Sequence, residues 1–213
     1  MSTLIQKLHP ALYPGAQLML DATRRPVFSQ QGDWDAGSAL HCAAMALAML
    51  GKLSDPVDVR GYASGPVAHF WDRAWPHYLH GLTPSELAAF VWELGAGVRP
   101  ALLEGSADEL ARLCLPELAA GWPVVVWIVN RRTGGRHAAL VTGIEERDAI
   151  PKALLLLDPA ETAPVLAVCN ARLEPGTPHS SYITASGSVR ADVDGAVSIR
   201  PAGQFAVADN TDS

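Results

Sequence analysis

The stretch Gln30 to Gly51, Q-Q-G-D-W-D-A-G-S-A-L-H-C-A-A-M-A-L-A-M-L-G, divides into two halves of opposite character. Gln30 to Asp35 is polar and turn-forming. Ala36 to Leu50 is almost wholly apolar, with Cys42 behaving as a small apolar residue. Ala, Leu and Met are strong helix formers, and Gly51 supplies a stop. A helix apolar on most of its sides is a buried one. The reading predicts a buried helix running to Leu50, with Asp35 as its N-cap and Ala36 to Ser38 in its first turn. That turn meets the positive end of the helix dipole. A buried helix opening onto a polar, glutamine-bearing loop is one way to build a nucleophile site. It is equally a cap and a loop with no further purpose.

Downstream, Thr83-Pro84-Ser85-Glu86 reads as a capped helix start, with Pro at the first helical position and Glu three residues after the cap. That helix should reach about Leu94. Ser106-Ala107-Asp108-Glu109 repeats the pattern, and Pro116 should kink or break the helix that follows. From Pro123 the period changes. V-V-V-W-I-V is β-branched and aromatic, hence a buried strand. H-A-A-L-V-T-G-I from His137 gives a second strand and A-L-L-L-L-D a third, ended by Pro159. Weaker strands are expected at 165–168, 182–184 and 196–199, and a short one near 17–20 in an otherwise irregular lead-in over 1–29. Helices first and an antiparallel sheet second predict an α+β fold in two lobes, as a single domain over 1–213. The helical lobe would span about 1–120 and the β lobe about 121–205.

The chain has 213 residues, 49% of them hydrophobic, enough to bury one sizeable core. Its formal net charge of −6, with no basic cluster, argues against nucleic acid as a partner. No apolar run is long enough for a membrane span, and no basic-then-apolar leader is visible at the N-terminus. Three cysteines, Cys42, Cys114 and Cys169, lie far apart in apolar contexts, which fits a reducing compartment. The expected location is cytoplasmic, or outside the cell without a cleaved signal.

Three placements coincide: the helix mouth near Ala36, a histidine opening a strand (His137), and an aspartate closing the next strand (Asp158). Imidazole is the usual general base, and a carboxylate on a neighbouring strand can hold its other ring nitrogen. In this the sequence resembles the papain-like cysteine peptidases, most of all the branch that includes the bacteriocin-leader peptidases. There a Gln precedes the nucleophile by six positions, and the nucleophile lies in D-C-G-x-A at the start of a buried helix. A His stands before an apolar strand ending V-x-G, and another apolar strand ends in D-P. Here stand Gln30, D-A-G-S-A from Asp35 to Ala39, H-A-A-L-V-T-G from His137 and L-L-L-L-D-P ending at Pro159. The resemblance covers roughly 30–160. It implies a papain-like two-lobe fold and the positions Ala36 (nucleophile), His137 (base), Asp158 (orienting carboxylate) and Gln30 (oxyanion donor). It implies a peptide or protein substrate and no metal or organic cofactor.

The chain departs from that pattern at Ala36, where the family has Cys. A methyl group cannot attack a carbonyl, so this form should be inert through the site. Two readings of Ala36 stand: a cysteine peptidase silenced at its nucleophile, or a domain naturally without one that keeps the cleft for binding. Ser38 and Cys42 are the alternative nucleophiles, and Gln31 the alternative to Gln30. His69, His77 and His80 lack the cysteine or carboxylate spacing of a metal site.

Overall fold

The computed structural model describes residues 3–32, 36–57 and 64–203. The first strands are β1 (Leu4–Leu8), β2 (Leu12–Tyr13) and β3 (Met19–Leu20), followed by α1 (Ser38–Met49) and α2 (Pro66–Ala74). After a 3-10 turn at Trp75–His77 come α3 (Pro84–Glu93), β4 (Val98–Leu103) and α4 (Ala107–Ala119). The chain then runs through β5 (Val124–Asn130), β6 (Arg136–Arg147), β7 (Ile150–Leu157), β8 (Ala171–Glu174), β9 (Ser180–Thr184) and β10 (Gly187–Pro201).

The expected two-lobe α+β arrangement on a papain-like plan, with a helical N-terminal lobe, is not what the chain adopts. Strands β6, β5, β10, β9, β8 and β7 pair in that order and β7 returns to β6, closing a six-stranded antiparallel barrel. β1 adds to β6 and β4 to β10, so two strands of the supposed helical half join the barrel sheet, while β2 and β3 pair with each other. Among the described residues, four short α-helices pack around or against it. Closure depends on two long strands. β6 pairs with β5, β1 and β7, and its register slips between Val141 and Gly143 and again between Glu145 and Glu146. β10 pairs with β9, β5 and β4 and slips between Val193 and Ala196. Such bulges bend a strand and raise its twist, which lets a sheet curl onto itself. Gly143 sits at one of them because a Cβ there would lie 2.7 Å from the Lys7 carbonyl oxygen of β1.

Alternation along the strands makes two cores. Val126, Val141, Leu156, Leu173, Tyr182 and Ala196, one from each barrel strand, share a single buried cluster, the barrel interior, which α4 closes with Leu110, Cys114 and Leu118. The residues between them, such as Val125, Trp127, Ala138 and Leu140, point outward onto α1. Every residue of α1 is buried, between the barrel wall and the other helices. The helix starts later than expected. Its N-cap is Gly37, with no side-chain cap, and Ser38 is its first residue. Asp35, the expected cap, lies outside the described residues.

Both predicted capping boxes are formed, Thr83 with Glu86 and Ser106 with Glu109. Pro116 does not break α4, which runs on to Ala119. The carbonyl that Pro116 leaves unpaired belongs to Arg112, on the exposed side where water can serve it. The strand expected at 165–168 reduces to a single bridge between Val165 and Gln17, and β8 forms just after it. No described helix is long and apolar enough to cross a membrane.

His9, where β1 meets the barrel, is buried, and its Nδ1 accepts the Ala11 N–H at 3.1 Å. Burial lowers its pKa from 6.5 to about 4. The unfolded chain therefore binds this proton more readily than the folded one. The contribution is full above about pH 6.5 and is lost as pH falls toward 4, by about 3 kcal/mol in all. Urea unfolding of the parent should show a loss of about 2 kcal/mol between pH 7 and pH 5. His9→Asn keeps an acceptor for Ala11 and should lose clearly less; equal losses would contradict this assignment.

Candidate functional site

Alternation gathers the site on the barrel rim. His137 lies opposite Ile128 in the β5–β6 register, so it faces the interior as Ile128 does. Asp158 follows β7 at the position that continues the inward series Leu154, Leu156. Tyr182 points inward from β9. All three meet at the rim. His137 Nε2 is 3.0 Å from Asp158 Oδ2 and 3.3 Å from the Tyr182 hydroxyl, and that hydroxyl also donates to Asp158 Oδ2. Asp158 Oδ1 accepts the Ala160 N–H at 2.9 Å. Asn170 clamps the backbone of Asp158, accepting its N–H at 2.7 Å and donating to its carbonyl at 2.9 Å. Burial works to raise the Asp158 pKa. The hydrogen bond and charge of His137, with the Tyr182 bond, outweigh it and hold the carboxyl below its ordinary value. An ionised carboxylate only accepts, so the His137 proton is assigned to Nε2, leaving Nδ1 as the free ring nitrogen.

The tip of α1 reaches this rim from the outer side. β7 pairs with β6 only as far as Leu140 opposite Leu157, so the edge of β6 beyond it is open. Ser38 Oγ fills the gap by accepting the buried Ala138 N–H at 3.0 Å. Two residues before it, Ala36 donates its N–H to the Tyr78 carbonyl at 2.9 Å. Gly81 lies against Ala36: a Cβ at Gly81 would be 3.2 Å from the Ala36 carbonyl oxygen. The loop at Gly81 is itself fixed by the Trp127 indole, which donates to the Leu82 carbonyl at 2.8 Å.

Ala36, Ser38, Gln31, Trp127 and His137 line one cavity of about 330 Å³. It shares His80, Gly81, Leu82 and Glu86 with a neighbouring cavity of about 460 Å³ over α2 and α3. On the other side it shares Arg136 and His137 with one of about 580 Å³ at the barrel mouth. Ala36 and His137 thus line the middle one of three neighbouring cavities that share lining residues.

His137 pairs with Asp158 and lines the same cavity as Ala36, whereas Asp158 lines the barrel-mouth cavity on the other side of His137. Gln30 is exposed and does not line the cavity, whereas Gln31 does. Gln31 is tied by its backbone N–H to the Pro159 carbonyl at 3.0 Å, and its Oε1 is buried with no partner among the described residues. The amide oxygen and nitrogen are interchangeable by assignment, so the unpartnered atom can equally be the NH2 donor. The N–H of Ala36 is already spent on Tyr78, so it is not a free oxyanion donor. Neither alternative nucleophile fits. Ser38 Oγ is engaged with Ala138, and Cys42 is fully buried, its thiol pushed well up by burial and then by the Asp158 charge. No sequence motif marks Tyr182 or Asn170 as part of this site. The only signal for Tyr182 was its place in a weak strand candidate.

No protein-family model matches this chain, and no curated protein matches it either.

Ser38→Ala removes the acceptor of a buried N–H and should cost about 1–3 kcal/mol in urea unfolding, with faster hydrogen exchange at Ala138. A loss below about 0.5 kcal/mol would show that this bond does not hold the helix to the rim.

Proposed function

We propose that this chain carries a cysteine-peptidase-type site whose nucleophile position is filled by Ala36, and that in this form it binds a peptide or protein segment without cleaving it. One observation supports the reading above the others: Ala36 and His137 line one cavity, His137 is paired with Asp158, and further cavities adjoin on both sides. With a thiol at position 36, Nδ1 of His137 would take its proton. The thiolate would attack the amide carbonyl, and the imidazolium would return the proton to the leaving amine. The Gln31 side chain is the donor best sited for the oxyanion. With a methyl at position 36 the first bond cannot form, and what remains is recognition of the amide by the groove.

The test uses Ala36→Cys. Peptidyl chloromethyl ketones should alkylate the introduced thiol, and adding His137→Ala should slow that reaction by about 100-fold or more. The unaltered chain should bind the matching peptide amides reversibly and return them intact. Absence of labelling at an intact fold, or labelling of Cys42 instead, would contradict the proposal.

A further inference from the structure

Tyr182 enters the site from a separate strand, and nothing in the peptidase-type reading requires it. Its ring is buried inside the barrel, with β8 and β10 on either side, opposite Leu173 and Val189. Only its hydroxyl reaches the rim. The rings of Tyr182 and His137 meet edge to face with centroids 5.3 Å apart. A phenol has one proton to give. Burial, then the Asp158 charge and hydrogen bond, push the Tyr182 pKa far up, so the hydroxyl stays protonated and its proton goes to Asp158. Asp158 Oδ2 therefore receives two donors, the Tyr182 hydroxyl and His137 Nε2–H, while Oδ1 is held by Ala160. Two donors on one oxygen divide its charge between them.

We propose that Tyr182 is a positioning residue of this site: by sharing the Asp158 carboxylate with His137 it pins the imidazole with Nε2 inward and weakens the pull of the aspartate on the imidazolium. The proposal rests on the peptidase-type reading of the groove. A single donor to Asp158 would leave the ring held at one point, with the whole carboxylate charge drawn to it. With Tyr182 present, the Nε2–H has a second acceptor in the phenol oxygen, and the ring lines the cavity that Ala36 also lines. The other charged groups near His137 are Glu161 beyond β7, Arg132 and Arg136 at the barrel mouth, and His80 and Glu86 across the cavity. None of them changes when only the hydroxyl of Tyr182 is removed.

Tyr182→Phe keeps the ring and deletes the hydroxyl. In the otherwise unaltered chain the Asp158 carboxyl, followed by 13C NMR, should titrate at higher pH, because it has lost a donor to its charged form. The His137 Nε2–H proton resonance should move downfield as its bond to Asp158 strengthens. In the Ala36→Cys background the acid limb of the alkylation rate should move to lower pH, because a freer Asp158 steadies the thiolate–imidazolium pair. A purely structural tyrosine would lower the rate at every pH and move neither limb nor carboxyl titration; that result overturns the proposal. Should Tyr182→Phe fail to fold, 3,5-difluorotyrosine at 182 keeps the bond and strengthens the donor, and both shifts should reverse in sign. Unchanged titrations there would equally overturn it. If Ala36→Cys is never alkylated, the peptidase-type reading fails, while the Asp158 titration still decides the role of Tyr182.

Discussion

The hydroxyl of Ser38 accepts the N–H of Ala138, and that bond sets the geometry of everything near the groove. It joins the first residue of a helix buried on every side to the residue after His137. β7 has already left β6 at this point, so no strand can serve the Ala138 N–H. A buried N–H without an acceptor costs as much as a lost hydrogen bond, so the helix tip is held where it supplies one. The consequence for the site is direct. Ala36 lies two residues before that contact and His137 one residue before it, so one bond fixes both chains of the cleft relative to each other.

The barrel supplies the rest. Because the strands alternate over the stretches at the rim, His137, Asp158 and Tyr182 turn to the interior side while Ala138 and Leu140 turn to α1. His137 therefore stands on the seam between the barrel mouth and the outer groove, and it lines the cavities on both sides. A rim position also reconciles burial with access. Asp158 is buried and paired on both oxygens, whereas the His137 side chain keeps 27% of its surface exposed. A group that must exchange protons with a bound molecule needs that exposure, and its orienting partner does not.

Much of the local structure was legible because it depends on neighbours in sequence. The apolar run from Ala39 to Met49, the capping boxes at Thr83 and Ser106, and the strand periods of β5, β6 and β7 were all visible. Barrel closure was not, because it is decided by bulges in β6 and β10 that no period of two announces. β1 and β4 hid in the half read as helical. Leu4 to Lys7 are all exposed, so β1 shows no alternation, and β4 contains Pro100, which is tolerated because β4 is an edge strand bound only to β10. At the site, His137 and Asp158 were legible as strand-end residues, as was the helix mouth. The choice between Gln30 and Gln31 was not, since a loop has no period to fix its register. Tyr182 reaches the pair only through the closed ring, so no local pattern could bring it there.

The direct measurement is a NOESY experiment on uniformly labelled protein, reading the Ser38 β protons against the amide of Ala138. Strong cross-peaks are expected, together with contacts from Tyr182 ring protons to the His137 ring. If Ser38 shows no contact with Ala138 in the folded protein, the helix tip is not docked at the rim, Ala36 and His137 do not share a groove, and the functional reading falls with them.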